Sequence, residues 1–227
     1  FSATVTSNVT LDPDAVLGDL SVGVTDGNAL TLTAAQATER TITGTGSVTV
    51  TDLNVEDDAD LSGITVGGTR TVEVDAEVTF TGNLGDFSVE VAEGATLTLT
   101  AAQATSRTIT GADATEGDDN GNGGSVVITD LVTNTNYNFA AVTAGAAFGT
   151  EGDAGRVTVR IAGGTHTLNT ATNLGEAAVV LTANGTLTLT AAQAAGRSIT
   201  DGDGSVEGAV SVTALHSTLT ANLSGID

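Results

Sequence analysis

Two kinds of residue in this chain could do chemistry: carboxylates crowded into short segments, and arginines held at one repeated spacing. Glu56, Asp57, Asp58 and Asp60 fall within five residues, Asp118 and Asp119 sit with Glu116 and Asn120, and Asp201, Asp203 and Glu207 form a third group. Asp12 and Asp14 flank the single proline. Ca2+ takes about six to eight oxygen ligands, and Asp- and Gly-rich loops supply them through carboxylates and main-chain carbonyls. The eight candidate ligands are Glu56, Asp57, Asp58, Asp60, Asp118, Asp119, Asp201 and Asp203, and Ca2+ is the candidate cofactor. Asp201-Gly202-Asp203-Gly204 is the best short fragment, without a terminal bidentate Glu at EF-hand spacing. The competing reading is that these are solvated loops, as charge runs usually are.

The arginines follow a stricter rule. Arg40, Arg107 and Arg197 each lie ten residues after a repeated leucine, in a chain whose six basic residues are all arginine. A guanidinium offers five donors in a planar fork, suited to backbone carbonyls or to a carboxylate at a turn. Asp19, Asp86 and Glu176 stand at the matching repeat position. A ligand-binding row is the functional alternative; a structural bond at a turn is the preferred reading. Gln36, Gln103 and Gln193 are expected to bond loop backbone in the same way. Catalysis has little support. His166 and His216 sit in Thr/Leu contexts, there is no Cys and no G-x-S-x-G elbow, so no catalytic residue is assigned and the chain is read as a non-enzyme.

Composition narrows the class. The 227 residues carry 28 Asp+Glu against 6 Arg, a formal charge of −22, which repels phosphate backbones and argues against nucleic acid as a partner. Cys, Met and Trp are absent, so disulfides and thiolate metal sites are excluded. No apolar run reaches the roughly 20 residues of a spanning helix, so the chain is read as not membrane-spanning. The 40% hydrophobic content, mostly in alternation, argues against disorder.

The elements that would position these groups come from an internal repeat. LTLTAAQATERTITG from Leu30, LTLTAAQATSRTITG from Leu97 and LTLTAAQAAGRSIT from Leu187 are copies of one block. Gly-Asp or Gly-Glu lies 12 residues upstream of each leucine, at Gly18, Gly85 and Gly175. A second block follows as GSVTVTDL, GSVVITDL and GAVSVTAL from Gly46, Gly124 and Gly208. A third signature comes eight residues later at Leu61, Phe139 and Leu223, and Phe1-Ser2-Ala3 resembles it. The repeats are assigned as 1–60, 61–138 and 139–227, with the start of a further signature at 223–227. Beginning and stopping at nearly the same phase is what a slice of a longer array would do, and the absence of an initial Met fits an excised piece.

The blocks alternate apolar residues with Thr or Ser, the period-2 pattern of half-buried strands. Thr followed by Ala-Ala-Gln-Ala reads as a capped single helical turn. Ala59-Asp60-Leu61 and Ala221-Asn222-Leu223 read as local turn chemistry. The fold class is therefore all-β, a β-solenoid-like stack of short strands built from three divergent repeats; tandem β-sandwich domains are the alternative. The near absence of aromatics and Pro favours the solenoid, whose narrow interior fills with Val, Leu, Ile and Ala.

The LTLTAAQA…R-[TS]-I-T-G…G-S-V-x-V-T-D-L pattern resembles repeats of very large bacterial surface and secreted proteins of the adhesin and S-layer type. The resemblance implies an extracellular, cell-surface location and a structural role. It also implies calcium-binding nonapeptides of the G-G-x-G-x-D type. Here Gly121-Asn122-Gly123-Gly124-Ser125 departs from that pattern, with no repeating Asp register. The expected function is a repeat unit or subunit of a surface layer, adhesin stalk or matrix filament, self-associating by strand stacking. The alternative is an adhesin module binding a glycan or protein through its variable acidic loops, 111–124 and 143–172.

Overall fold

Leu-Thr-Leu-Thr has one apolar face, and a single short strand cannot bury it. Burial requires the next turn of chain to lie in register above. A computed structural model of the chain, describing residues 1–53, 58–115, 122–146, 155–182, 184–202, 208–215 and 221–226, shows that solution: a β-solenoid of about nine turns.

All described strand pairs are parallel, and they form four sheets. The first contains β1 (Ser2–Val5), β3 (Ser21–Val24), β5 (Ile42–Gly44) and β7 (Ile64–Val66). The second contains β2 (Val9–Thr10), β4 (Ala29–Thr33), β6 (Ser47–Thr51), β8 (Arg70–Val74), β10 (Ser88–Val91), β12 (Ile109–Gly111) and β14 (Val142–Thr143). The third contains β9 (Glu77–Thr79), β11 (Thr96–Thr100), β13 (Ser125–Thr129), β15 (Val157–Ala162), β17 (Ala178–Thr182) and β19 (Ile199–Asp201). The fourth contains β16 (Thr165–Thr167), β18 (Thr186–Thr190) and β20 (Ala209–Thr213).

Register follows the apolar column. Ala3 pairs with Val22, Val22 with Ile42 and Ile42 with Ile64. Insertions do not disturb it: Thr96 pairs with Ser125 and Ile109 with Val142 across connections of unequal length. A one-residue slip would turn every inward side chain outward, so the apolar face fixes the pairing.

The sheets also show how one repeat joins the next. β3 and β10 match in sequence, as Ser-Val-Gly-Val and Ser-Val-Glu-Val, yet β3 lies in the first sheet and β10 in the second. β4, β11 and β18 share Leu-Thr-Leu-Thr and lie in the second, third and fourth sheets. The cause is one additional strand per junction. β8 stacks on β6 and receives β10; β15 stacks on β13 and receives β17. Each repeat thus begins one sheet further round the coil than the repeat before it.

The interior is a column of Val, Leu, Ile and Ala, with Phe80, Phe87 and Phe139 buried in the segments between strands. Tyr137 stacks on Phe139 with ring centroids 5.7 Å apart. Leu97 is fully buried between Val78 and Val126, whereas Thr98 faces outward from the same strand. Leu97→Ala is expected to cost about 2–5 kcal/mol in urea unfolding, and Thr98→Ala less than about 0.5 kcal/mol.

Candidate functional site

The segments that link the strands leave main-chain groups outside the ladders, and the repeated Thr, Gln and Arg meet them there. Ala-Ala-Gln-Ala is favourable helix sequence, and in each copy it makes a single turn: α1 (Ala34–Ala37), α2 (Ala101–Ala104) and α3 (Ala191–Ala194). Each carries a capping box. In α2 the Thr100 hydroxyl accepts from Gln103 N at 3.3 Å, and Gln103 Oε1 accepts from Thr100 N at 2.9 Å.

The glutamine amide then reaches one turn back along the coil. Gln36 Nε2 donates to Asp12 O at 2.8 Å and Ala15 O at 3.0 Å. Gln103 Nε2 donates to Gly82 O at 2.8 Å, and Gln193 Nε2 to Asn169 O at 2.9 Å and Thr172 O at 3.0 Å.

The arginine completes the clamp. Arg40, Arg107 and Arg197 each donate through Nε to the carbonyl of the same repeat's glutamine, at 2.8, 2.9 and 3.0 Å. Their terminal nitrogens reach the Gly-Asp/Glu segment one turn earlier. Arg40 meets Gly18 O at 2.6 Å, Arg107 meets Gly85 O at 2.8 Å and also Phe87 O, and Arg197 meets Gly175 O at 3.1 Å and also Ala177 O. Those partners are main-chain carbonyls, not the carboxylates of Asp19, Asp86 and Glu176. Gly18, Gly85 and Gly175 all have positive φ, near +50° to +60°. At Gly175 a Cβ would come 2.5 Å from Phe139 O, so this position excludes any side chain. Burial pushes the Arg107 and Arg197 guanidinium pKa values down, with nearby Asp86 opposing the shift at Arg107.

Asp86 is instead paired with Arg70, Nη1 to Oδ2 at 3.6 Å, across an exposed groove of about 490 Å3. Ser88, Thr105 and Arg107 line the same groove. It presents hydroxyls and the Arg70–Asp86 pair, with the carboxylate the more exposed partner.

Of the acidic candidates, Asp58, Asp60 and Asp201 are among the described residues. Asp58 is exposed. Asp60 is spent on a turn: its Oδ1 accepts from Ser62 N at 2.9 Å, and bonds from the Ser62 side chain and backbone hold its carboxyl below the usual range. Asn83, Asn138, Asn173 and Asn222 make the same bond to the residue two positions on. Asn serves there as well as Asp, so the position requires an acceptor, not a charge. This row was detectable only as Ala-[Asp/Asn]-Leu in two places. Asp201 Oδ2 accepts from Gly208 N at 3.2 Å; its Oδ1 is buried without a partner among the described residues. Glu56, Asp57, Asp118, Asp119 and Asp203 lie outside the described residues, as does His216. Among the described residues no three of His, Cys, Asp and Glu gather at one place.

Three outcomes follow from these contacts. Arg107→Met strips donors from the carbonyls of Gln103, Gly85 and Phe87 and is expected to lower stability by about 1–3 kcal/mol in urea unfolding, with Arg107→Lys restoring only part because an ammonium cannot span the fork. Asp86→Asn, at an exposed pair, is expected to cost at most about 1 kcal/mol. The bonds that depress the Asp60 carboxyl contribute stability above its unfolded-state pKa and lose it as pH falls through the lower folded value. Asp60→Asn keeps the turn and is expected to lessen the fall in melting temperature below about pH 4.

No protein family, curated protein or solved structure matches this chain in sequence or fold comparison.

Proposed function

We propose that the chain is a structural extracellular segment, a repeat unit or subunit of a bacterial cell-surface layer, adhesin stalk or matrix filament, which associates with further turns of its own kind by strand stacking. The observation that supports this is a difference between equivalent strands. β6 and β13 lie between two neighbours, and the leucines after them, Leu53 and Leu131, are 0% and 5% exposed. β20 has only β18 beside it among the described residues, Val210 and Val212 are partly buried, and Leu215 is 61% exposed. On this edge β6 holds β8 and β13 holds β15. Among the described residues, β20 is without the neighbour that β8 and β15 supply to β6 and β13. An unpaired strand edge is a template for association. A junction of this head-to-tail kind extends as a filament unless rotation closes it.

The repeated Gln and Arg side chains support a structural role in the same way, since their donors are used on the main chain of the preceding turn. No helix among the described residues is long and apolar enough to cross a membrane. Ca2+ bridging acidic loops of adjoining segments belongs to this reading. The groove beside Arg70 favours a second reading, a module that binds a hydroxyl-rich glycan.

Electron microscopy and sedimentation of the purified chain are expected to show ordered filaments or sheets. Val212→Lys, which places a charge in the aliphatic strip of β20, is expected to raise the concentration needed for assembly about tenfold or more. A monodisperse monomer under all conditions contradicts the reading. Glycan binding lost with Arg70→Ala would favour the second one. Melting and assembly unchanged by EDTA would remove Ca2+ from the account.

A further inference from the structure

His166 stands at a seam. It lies on β16, the outermost strand of the fourth sheet, so within that sheet no described strand pairs on its lower side. Its lower neighbours belong to the segment after β13. Asn134 N donates to Thr167 O at 2.9 Å, and the Thr133 hydroxyl donates to Thr165 O at 3.3 Å. The imidazole completes this contact. Nδ1 is 3.1 Å from Leu131 O, and Nε2 is 2.9 Å from Gly163 O.

Both partners are carbonyl oxygens, which only accept. A neutral imidazole carries one N–H, so its other nitrogen would turn a lone pair toward a carbonyl. An imidazolium carries two and satisfies both. The surrounding charges do not decide the matter. Asp130 precedes Leu131, and its carboxylate accepts from the Thr129 hydroxyl. Arg160 on β15 is exposed. β18, stacked above with Leu187 against His166, has no titratable residue, and the Gly163–Gly164 turn has none. Among the described residues the ring makes no ion pair.

We propose that His166 is a proton-operated clasp between the second and third repeats: the protonated ring holds Leu131 and Gly163 together, and the neutral ring releases one of them. The clasp contributes while the ring carries both N–H groups, and the contribution is lost as pH rises and the ring gives up one of them. This device is independent of the stacking proposed above, since it acts within one chain.

The test uses the full chain carrying His216→Asn, so that His166 is the only imidazole. Ring 15N shifts followed by NMR are expected to show both nitrogens protonated at pH 5.5, and a single N–H at pH 8. In urea unfolding, the folding equilibrium constant is expected to fall about fivefold more between pH 5.5 and 8 in this chain than in the same chain with His166→Gln. Equal pH responses in the two chains would overturn the proposal. So would a ring with one N–H in the folded chain at pH 5.5, a readout that stands even where the His166→Gln chain does not fold.

Discussion

Everything in this molecule depends on stacking in register. The coil is too thin for any turn to bury its own apolar side chains, so each turn takes its core contacts from the turns above and below. The ladder hydrogen bonds and the aliphatic column are therefore one constraint, because both are satisfied by the same alignment of Val22, Ile42 and Ile64 or of Val78, Leu97 and Val126. Residues inserted between strands are tolerated as long as the column is kept, which is why loops of unequal length coexist with unbroken pairing. Phe80, Phe87 and Phe139 are buried in the segments between the strands.

Where the strands stop, the ladder stops too, and the clamps take over. Helical turns and Gly-Asp/Glu segments expose main-chain carbonyls that parallel pairing cannot reach. The Gln amide and the Arg fork supply donors from the next turn, so the connecting segments are held along the same axis as the strands. Arginine is suited to this because its charge is permanent and its donors are planar and divergent. The one-sheet step between repeats adds a consequence. The clamps do not line up on a single sheet, since β4, β11 and β18, which precede them, belong to three different sheets. A repeated residue type in sequence thus becomes a dispersed set of staples, and not the row along one face that a ligand-binding array would need.

The fold class was legible because alternation and repetition are both local signals. Leu-Thr-Leu-Thr reports a strand, and Thr-Ala-Ala-Gln-Ala reports a capped turn, without knowledge of neighbours. The clamp partners were not legible to the same degree. For Arg107 a bond at a turn was expected with carbonyl and carboxylate as open alternatives, because Gly85 and Asp86 are adjacent in sequence and only the coil decides which faces the guanidinium. The strands at the junctions, β8 and β15, share no block with the rest of the repeat, so the step they cause could not be read. Proximity along the chain says nothing of convergence, and Asp60 proves to occupy a turn that asparagine fills elsewhere.

The central claim is that each repeat steps one sheet round the coil through an added strand. Oxidation of paired cysteines tests it directly, since the chain has none of its own and adjacent parallel strands lie within disulfide reach. The stepped coil places Glu90 beside Glu73, so Glu73→Cys with Glu90→Cys should cross-link readily under mild oxidation. Stacking of equivalent strands without the step would instead place Glu90 beside Thr65, the counterpart of Thr4 beside Gly23. A disulfide formed by Thr65→Cys with Glu90→Cys, and none by the first pair, would contradict the account.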